Sequence, residues 1–129
     1  MNKDQDDSIE LKKISKNMNE LVLIMKQLRD KENGCEWDRQ QTYETIAPYT
    51  IEEAYEVTEA IYENDMDKLC DELGDLLLQV IFQAQIASEK GDFRLDDVIS
   101  AVCRKMIRRH PHIFGDTSNR SIPAIKKTW

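Results

Sequence analysis

Apolar side chains recur at the three- and four-residue spacing of a helix in four stretches of the chain. These stretches predict four helices. The first ends at about Arg29 and the second begins at Thr50. The third is long, with its apolar residues over 69–86 and its end near Gly91, and the fourth covers about 96–110. Glycine and proline are few, at 4 and 3 residues, so the chain has little of the turn chemistry of an all-β protein. We therefore expect an all-α helical bundle.

The segments outside these helices are polar and rich in turn signals. We expect residues 1–8 to be frayed and residues 30–41 to form a loop. Within that loop, Trp37 is either a lid residue or a plug over the core, and the plug is the more common case. After it, Thr42 is expected to cap a short helix that ends before Pro48.

The helix pattern also predicts how the elements pack. Asn64 and Asp65 form a tight connection, so the helix before them and the long helix after them should be antiparallel neighbours. The expected apolar side of the earlier helix is Ile51, Ala54, Tyr55, Val57, Ile61 and Tyr62, and that of the last helix is Val98, Ile99, Val102, Met106 and Ile107. The long helix is apolar around most of its circumference, which is more than three short partners can easily cover. We therefore predict a homodimer that shares a helical core.

Two pairs of acids lie where the antiparallel helices would face each other. Glu53 and Glu56 are three residues apart, as are Glu72 and Asp75, and residues at that spacing share a helix face. Bare carboxylates brought together in this way would repel, and burying them without a partner is costly. A hard divalent cation with oxygen ligands, Mg²⁺ or Mn²⁺, is the natural compensation.

Two structural explanations account for part of this pattern. A capping box from Thr50 to Glu53 would give Glu53 a structural role at the start of the helix, but it would not account for the other three acids. A salt bridge from Lys68 to Glu72 would make the acids of the long helix an ordinary solvated stripe. The polar strip of that helix consists of Lys68, Glu72, Asp75, Gln79 and Gln83. Because two matched acidic clusters occur and this strip lies on a mostly apolar helix, the metal site is favoured.

Composition narrows the possible partners. The chain has 129 residues, enough for one core, and a formal net charge of −7, which argues against nucleic acid or an anionic membrane as its main partner. No apolar run approaches the length of a membrane span. Its three cysteines are odd in number and none forms a CxxC pair, so a disulfide framework or zinc site is not expected. A reducing cytoplasm fits best.

The last predicted helix carries a basic C-terminal end. Lys105 and Arg109 lie one turn apart beside its apolar stripe, where they could reach into a cleft. Their alternative role is to complement the helix dipole, since cations suit a helix C-terminus. His110 and His112 flank Pro111 without a nearby acid in sequence, and we interpret them as structural or exposed.

Several short motifs follow one another between about Leu21 and Trp129. They are, in order, Leu28-Arg29, Gly34-Cys35-x-Trp37-Asp38, Gln41-Thr42, Glu52-Glu53-x-x-Glu56, Glu72-Leu73-Gly74-Asp75 and Arg108-Arg109-His110-Pro111-His112-x-Phe114. As an ordered set they are highly specific, and through them the chain resembles the MazG nucleoside triphosphate pyrophosphohydrolases. Glu36 departs from the family pattern, which usually has proline there, and this concerns the rigidity of the loop rather than the metal ligands.

The resemblance implies an all-α fold whose site forms in a dimer, where helices assemble a four-helix bundle. It implies Mg²⁺-dependent hydrolysis of a nucleoside triphosphate to the monophosphate and pyrophosphate, with water attacking the α-phosphorus. The implied metal ligands are Glu53, Glu56, Glu72 and Asp75. Lys68 is implied as a further catalytic residue. The implied nucleotide-binding residues are Tyr49, Thr50, Glu52, Lys68, Asp71, Lys105, Arg109 and Trp129.

The same resemblance suggests a division of the chain and leaves other functions open. Residues 1–18 would be an N-terminal extension, 19–115 the MazG-like domain, and 116–129 a polar tail that continues into a longer protein. The motifs look like the first copy in members that carry two copies, of which one can be inactive. A catalytically silent nucleotide-sensing or dimerisation domain is therefore the alternative, and a pyrophosphohydrolase of another substrate such as phosphoribosyl-ATP is a third. The presence of all four acids and Lys68 favours activity.

Overall fold

The computed structural model of the chain describes residues 2–116, 118 and 120–129, and this part contains helices and no strands. The helices are α1 (Lys3–Leu28), α2 (Glu36–Arg39), α3 (Tyr43–Tyr62), α4 (Met66–Lys90), α5 (Leu95–Arg109), α6 (Pro111–Phe114) and α7 (Ile122–Lys126). The prediction of an all-α fold is confirmed. No helix in the described ranges is long and apolar enough to cross a membrane.

Helices α3 and α4 form an antiparallel hairpin, as predicted. The turn between them contains Asn64, whose φ of 55° lies in the left-handed region, and Asp65, whose side chain accepts a hydrogen bond from the backbone N–H of Lys68. Far from the turn, Gln83 of α4 donates its side-chain N–H to the carbonyl of Tyr43 at the start of α3, at 3.2 Å. The two helices therefore remain in register over nearly their full length.

The buried core lies at one end of this hairpin. Met25 of α1 and Ile46 of α3 pack with three residues from the C-terminal half of α4, namely Ile81, Phe82 and Ile86. Each of these side chains is at most 3% exposed, and each burial is worth about 1.5–3 kcal/mol. The acids of α4 lie towards its other end, so the core fixes the hairpin without enclosing them.

The predicted helix break before Pro48 is wrong. One continuous α3 begins after Thr42, and the capping box is formed by Thr42 and Thr45 rather than by Thr50 and Glu53. Pro48 is exposed near the start of the helix, so it forfeits one backbone hydrogen bond there. Ile46, packed in the core before the proline, keeps the first turns of α3 in line with the rest.

Two further predictions, one about the N-terminus and one about Trp37, are wrong. Residues 3–8, predicted to be frayed, belong to α1, which is capped by the side chain of Asn2. Trp37 does not plug the core, because it is 49% exposed and lies edge-on against Tyr49 with 5.9 Å between the ring centroids.

Much of the surface predicted to be buried is exposed in the single chain. Leu73, Leu77 and Val80 of α4 lie at helical spacing and are 40–48% exposed. Large apolar side chains of the flanking helices are also exposed, namely Ile51, Tyr55, Ile61 and Tyr62 of α3 and Ile99, Val102 and Ile107 of α5. The residues of α5 were predicted to form a buried face, and in the single chain they do not. The exposure of the α4 residues fits the expectation that the long helix has more apolar surface than the rest of the chain can cover. The core draws on α1, the first turns of α3 and the second half of α4.

Candidate functional site

Three carboxylates converge between α3 and α4. Glu53 of α3 faces Glu72 and Asp75 of α4, and one carboxylate oxygen from each residue lies within 4.8 Å of the other two. The convergence follows from two local features, the three-residue spacing on α4 and the antiparallel register of the hairpin. We call Glu53, Glu72 and Asp75 the carboxylate triad.

The surroundings of the triad favour a positive ligand. Burial, followed by the charges of Asp75 and Glu72, raises the pKa of Glu53 above its usual range. The Oε2 atom of Glu53 is buried and has no hydrogen-bond partner. Three oxygen ligands at this spacing, one with an unpaired buried oxygen, match the requirements of Mg²⁺ or Mn²⁺. The donor set therefore fits a hard divalent cation.

Glu56, predicted to complete a set of four, does not join this group among the described residues. Its charge instead acts on Lys68, whose amine lies 3.2 Å from Oε2 of Glu63. The bond to Glu63, with the charges of Glu59, Glu63 and Glu56, raises the pKa of Lys68. The alternative in which Lys68 pairs with Glu72 is therefore wrong, because Glu63 across the hairpin turn takes the amine.

The predicted nucleotide-binding residues of the hairpin occupy different surroundings. Tyr49 is 41% exposed and contacts Trp37, which joins the loop to α3. Thr50 is half-buried, and its hydroxyl oxygen is enclosed without a hydrogen-bond partner. Glu52 and Asp71 are exposed next to members of the triad, and Glu52 contributes to the raised pKa of Glu53.

The predicted residues of the basic helix meet the end of the chain. The guanidinium of Arg109 lies over the ring of Trp129, 5.1 Å from its centroid, and His110 contacts the same ring at 5.9 Å. The hydroxyl of Thr128 donates to the carbonyl of Arg109, which fixes the chain after α7 against the end of α5. Lys105 is exposed on α5. In the described part of a single chain, no hydrogen bond or ion pair links Lys105 or Arg109 to the triad.

His110 and His112 are half-buried neighbours, with 5.5 Å between their ring centroids. The Nδ1 atom of His110 lies 2.7 Å from the carbonyl of Met106, one turn earlier on α5. This bond supports the structural interpretation of His110.

Sequence reasoning gave no role to Arg29, although it lies in a motif. Its guanidinium makes two bonds to the carboxylate of Glu89, at 2.8 and 2.9 Å, and also donates to the carbonyls of Asp38 and Gln41. It lies 5.6 Å from the ring centroid of Phe82. Arg29 therefore connects the loop before α3 to the C-terminal half of α4. Its partners are distant in sequence, so no local pattern could have identified them.

Comparison with known proteins identifies the family of the chain. The model of the MazG nucleotide pyrophosphohydrolase domain matches residues 41–114, which include α3, α4 and α5. The chain belongs to the MazG family. A nucleoside triphosphate pyrophosphohydrolase/pyrophosphatase MazG of Thermotoga maritima is 58% identical over 79% of this chain and 40% of its own length. A nucleoside triphosphate pyrophosphohydrolase of Escherichia coli (strain K12) is 52% identical over 84% of this chain and 41% of its own.

A solved MazG structure supports the fold. The crystal structure of a mazG-related protein from Thermotoga maritima superposes with a TM-score of 0.70 at 28% identity, covering 86% of this chain and 94% of that one. The chain thus spans about two fifths of the length of the curated MazG relatives described above, but nearly all of this solved structure.

Proposed function

We propose that the chain is a Mg²⁺-dependent nucleoside triphosphate pyrophosphohydrolase domain that releases the nucleoside monophosphate and pyrophosphate. The observation that carries the proposal is the convergence of Glu53, Glu72 and Asp75 within 4.8 Å, in a chain of the MazG family. Relatives that carry the name nucleoside triphosphate pyrophosphohydrolase support the same reaction.

In this proposal, the acidic residues bind the cation and the basic residues bind the phosphates. Glu53, Glu72 and Asp75 would hold the cation, since carboxylate oxygens are its preferred ligands. Glu56, which lies outside the triad in the free chain, would have to move to join them. When bound, Mg²⁺ supplies charge neutralisation at the phosphates and a lowered pKa for the attacking water. The triad fixes where this chemistry occurs, because its members are held by two helices whose register is set by the core.

Basic and aromatic side chains would bind the rest of the substrate. Lys68, Lys105 and Arg109 are the proposed contacts for the triphosphate, because charge-assisted hydrogen bonds to phosphate are strong. Lys68 is bonded to Glu63 in the free protein, so it would exchange that carboxylate for a phosphate. The other proposed contacts of the nucleotide are Tyr49, Thr50, Glu52, Asp71 and Trp129.

The apolar surface that the single chain leaves open supports a homodimer. Leu73 and Leu77 lie on the same helix as the triad, and Tyr55 of α3 is 72% exposed. Large apolar side chains left exposed on neighbouring helices are typical of an interaction site, and a second copy would cover them symmetrically.

The proposal is tested with a panel of nucleoside triphosphates and phosphoribosyl-ATP, with Mg²⁺ or with EDTA. We expect equal amounts of monophosphate and pyrophosphate from one or more of the triphosphates in Mg²⁺, and none in EDTA. Turnover of phosphoribosyl-ATP alone would reassign the substrate class. Binding of nucleotide without any turnover would instead identify a silent nucleotide-sensing domain.

A further inference from the structure

Unpaired polar atoms continue along the α3–α4 interface beyond the triad. Gln79 is only 9% exposed, and its Oε1 atom is buried without a hydrogen-bond partner. The hydroxyl of Thr50 and the Oε1 atom of Gln83 are buried and unpaired in the same way. Native proteins pair nearly all buried polar side-chain atoms with protein or with ordered water. These atoms are therefore candidates to bind an ordered water or another small ligand between the two helices.

The register of the hairpin places two of these atoms next to the triad. Glu53 faces Glu72 and Asp75, and farther along the pair the carbonyl of Tyr43 accepts from Gln83. Thr50 lies one turn before Glu53 on α3, and Gln79 lies one turn after Asp75 on α4. Because the helices are antiparallel, both steps run in the same direction. The register therefore places both Thr50 and Gln79 about one turn from the triad, on the side of the core.

The chemistry of the unpaired atoms defines the ligand. The amide oxygen of Gln79 and the free carboxylate oxygen of Glu53 accept hydrogen bonds, and the hydroxyl of Thr50 can accept or donate. A ligand shared by these three atoms would have to donate at least two hydrogen bonds from a small volume. Water meets this requirement, and buried waters in proteins typically have two to four such partners.

We propose that Gln79 is a positioning residue of the metal site, which with Thr50 holds an ordered water against the unpaired oxygen of Glu53 and so orients that carboxylate for the cation. This inference rests on the proposed function, since it assumes that the triad binds a divalent cation. Mutation of groups that orient metal ligands in this way typically lowers metal affinity 10- to 100-fold.

The test measures Mg²⁺ affinity by isothermal titration calorimetry, without nucleotide. The variants are Gln79→Met and Thr50→Val, which keep side-chain size but remove the hydrogen bonds, and the double variant. Gln85→Met is the matched control, because Gln85 lies on the same helix and bonds to Glu89 rather than facing the triad. Melting temperatures in EDTA are measured in parallel.

We expect each single variant to raise the Mg²⁺ dissociation constant about tenfold. The double variant should be no weaker than the weaker single variant, because both act through one water, and the control should match the wild type. Melting temperatures in EDTA should change little, since each variant replaces a water-bonded polar side chain by an apolar one of similar size. If Gln79→Met does not fold, Thr50→Val alone carries the test.

Unchanged Mg²⁺ affinity in the folded variants would overturn this inference while leaving the proposed function intact. Losses that multiply in the double variant would also overturn it, because they would show two independent effects. A wild-type chain that binds no Mg²⁺ would instead refute the proposed function, and this inference with it.

Discussion

The triad should destabilise the protein when no metal is present, and Glu53→Gln should relieve that cost. The triad oxygens lie at most 4.8 Å from one another. Two unit charges at that distance repel by roughly 0.9 kcal/mol in water and roughly 3.5 kcal/mol at an effective dielectric constant of 20. Asp75 is exposed, so the water value is the better guide here. Glu53 has two such neighbours, and neutralising it should therefore stabilise the metal-free protein by about 1–2 kcal/mol.

The pH dependence of this gain follows from the raised pKa of Glu53. A group whose pKa is raised in the folded state costs no stability below its unfolded value, and the cost grows as pH rises through the folded value. The advantage of Glu53→Gln should therefore be absent below pH 4.5, the usual pKa of the group, and complete above the raised pKa of Glu53. Urea unfolding in EDTA at fixed protein concentration, at pH 4 and pH 8, measures it.

The matched control is Glu59→Gln, on the same helix at an exposed position outside the triad. It should change the free energy of unfolding by less than about 0.5 kcal/mol at either pH. Adding Mg²⁺ should stabilise the wild type and this control, but Glu53→Gln much less. A loss of stability in Glu53→Gln at pH 8, or a gain that is equal at both pH values, would refute the account of the triad as mutually repelling ligands.

Three further predictions concern other parts of the molecule. Arg29→Lys should lower the free energy of unfolding by about 1–3 kcal/mol in urea titrations, because an ammonium cannot reproduce the paired bonds of the guanidinium; equal stability would show that the loop needs no such connection. Lys105→Ala and Arg109→Ala should each lower kcat/KM roughly 10- to 100-fold at saturating Mg²⁺. Arg104→Ala should have much less effect, and small, equal losses in all three would leave only the helix-dipole role. Leu77→Glu should convert a dimer to a monomer in light scattering, and a wild-type monomer at micromolar concentration would contradict the proposed interface.

Local patterns in the sequence were sufficient to predict the hairpin and the acids that it brings together. The spacing of Glu72 and Asp75 fixes a shared face wherever α4 lies, and the short turn at Asn64 makes α3 its antiparallel neighbour. Gly91 ends α4 with a φ of 75°, as its position after the apolar run predicted. These features depend on neighbouring residues in the chain.

The features that were missed depend on tertiary packing. The continuity of α3 through Pro48 requires the packing of Ile46 in the core, which a local helix rule does not contain. The partner of Lys68 depends on the geometry of the hairpin turn, which brings Glu63 closer to the amine than a residue on its own helix. The contact of Trp129 with Arg109 crosses a segment whose course the sequence does not determine.

The most direct test of the central claim is hydrolysis of a nucleoside triphosphate substrate in ¹⁸O-labelled water by the wild type and by Asp75→Asn. We expect the wild type, in Mg²⁺, to place one label in the monophosphate and none in the pyrophosphate, because water attacks the α-phosphorus. Asp75→Asn should fold and produce neither product at a measurable rate, since it lacks one of the three converging carboxylates. Label in the pyrophosphate, or full Mg²⁺-dependent turnover by Asp75→Asn, would contradict the account.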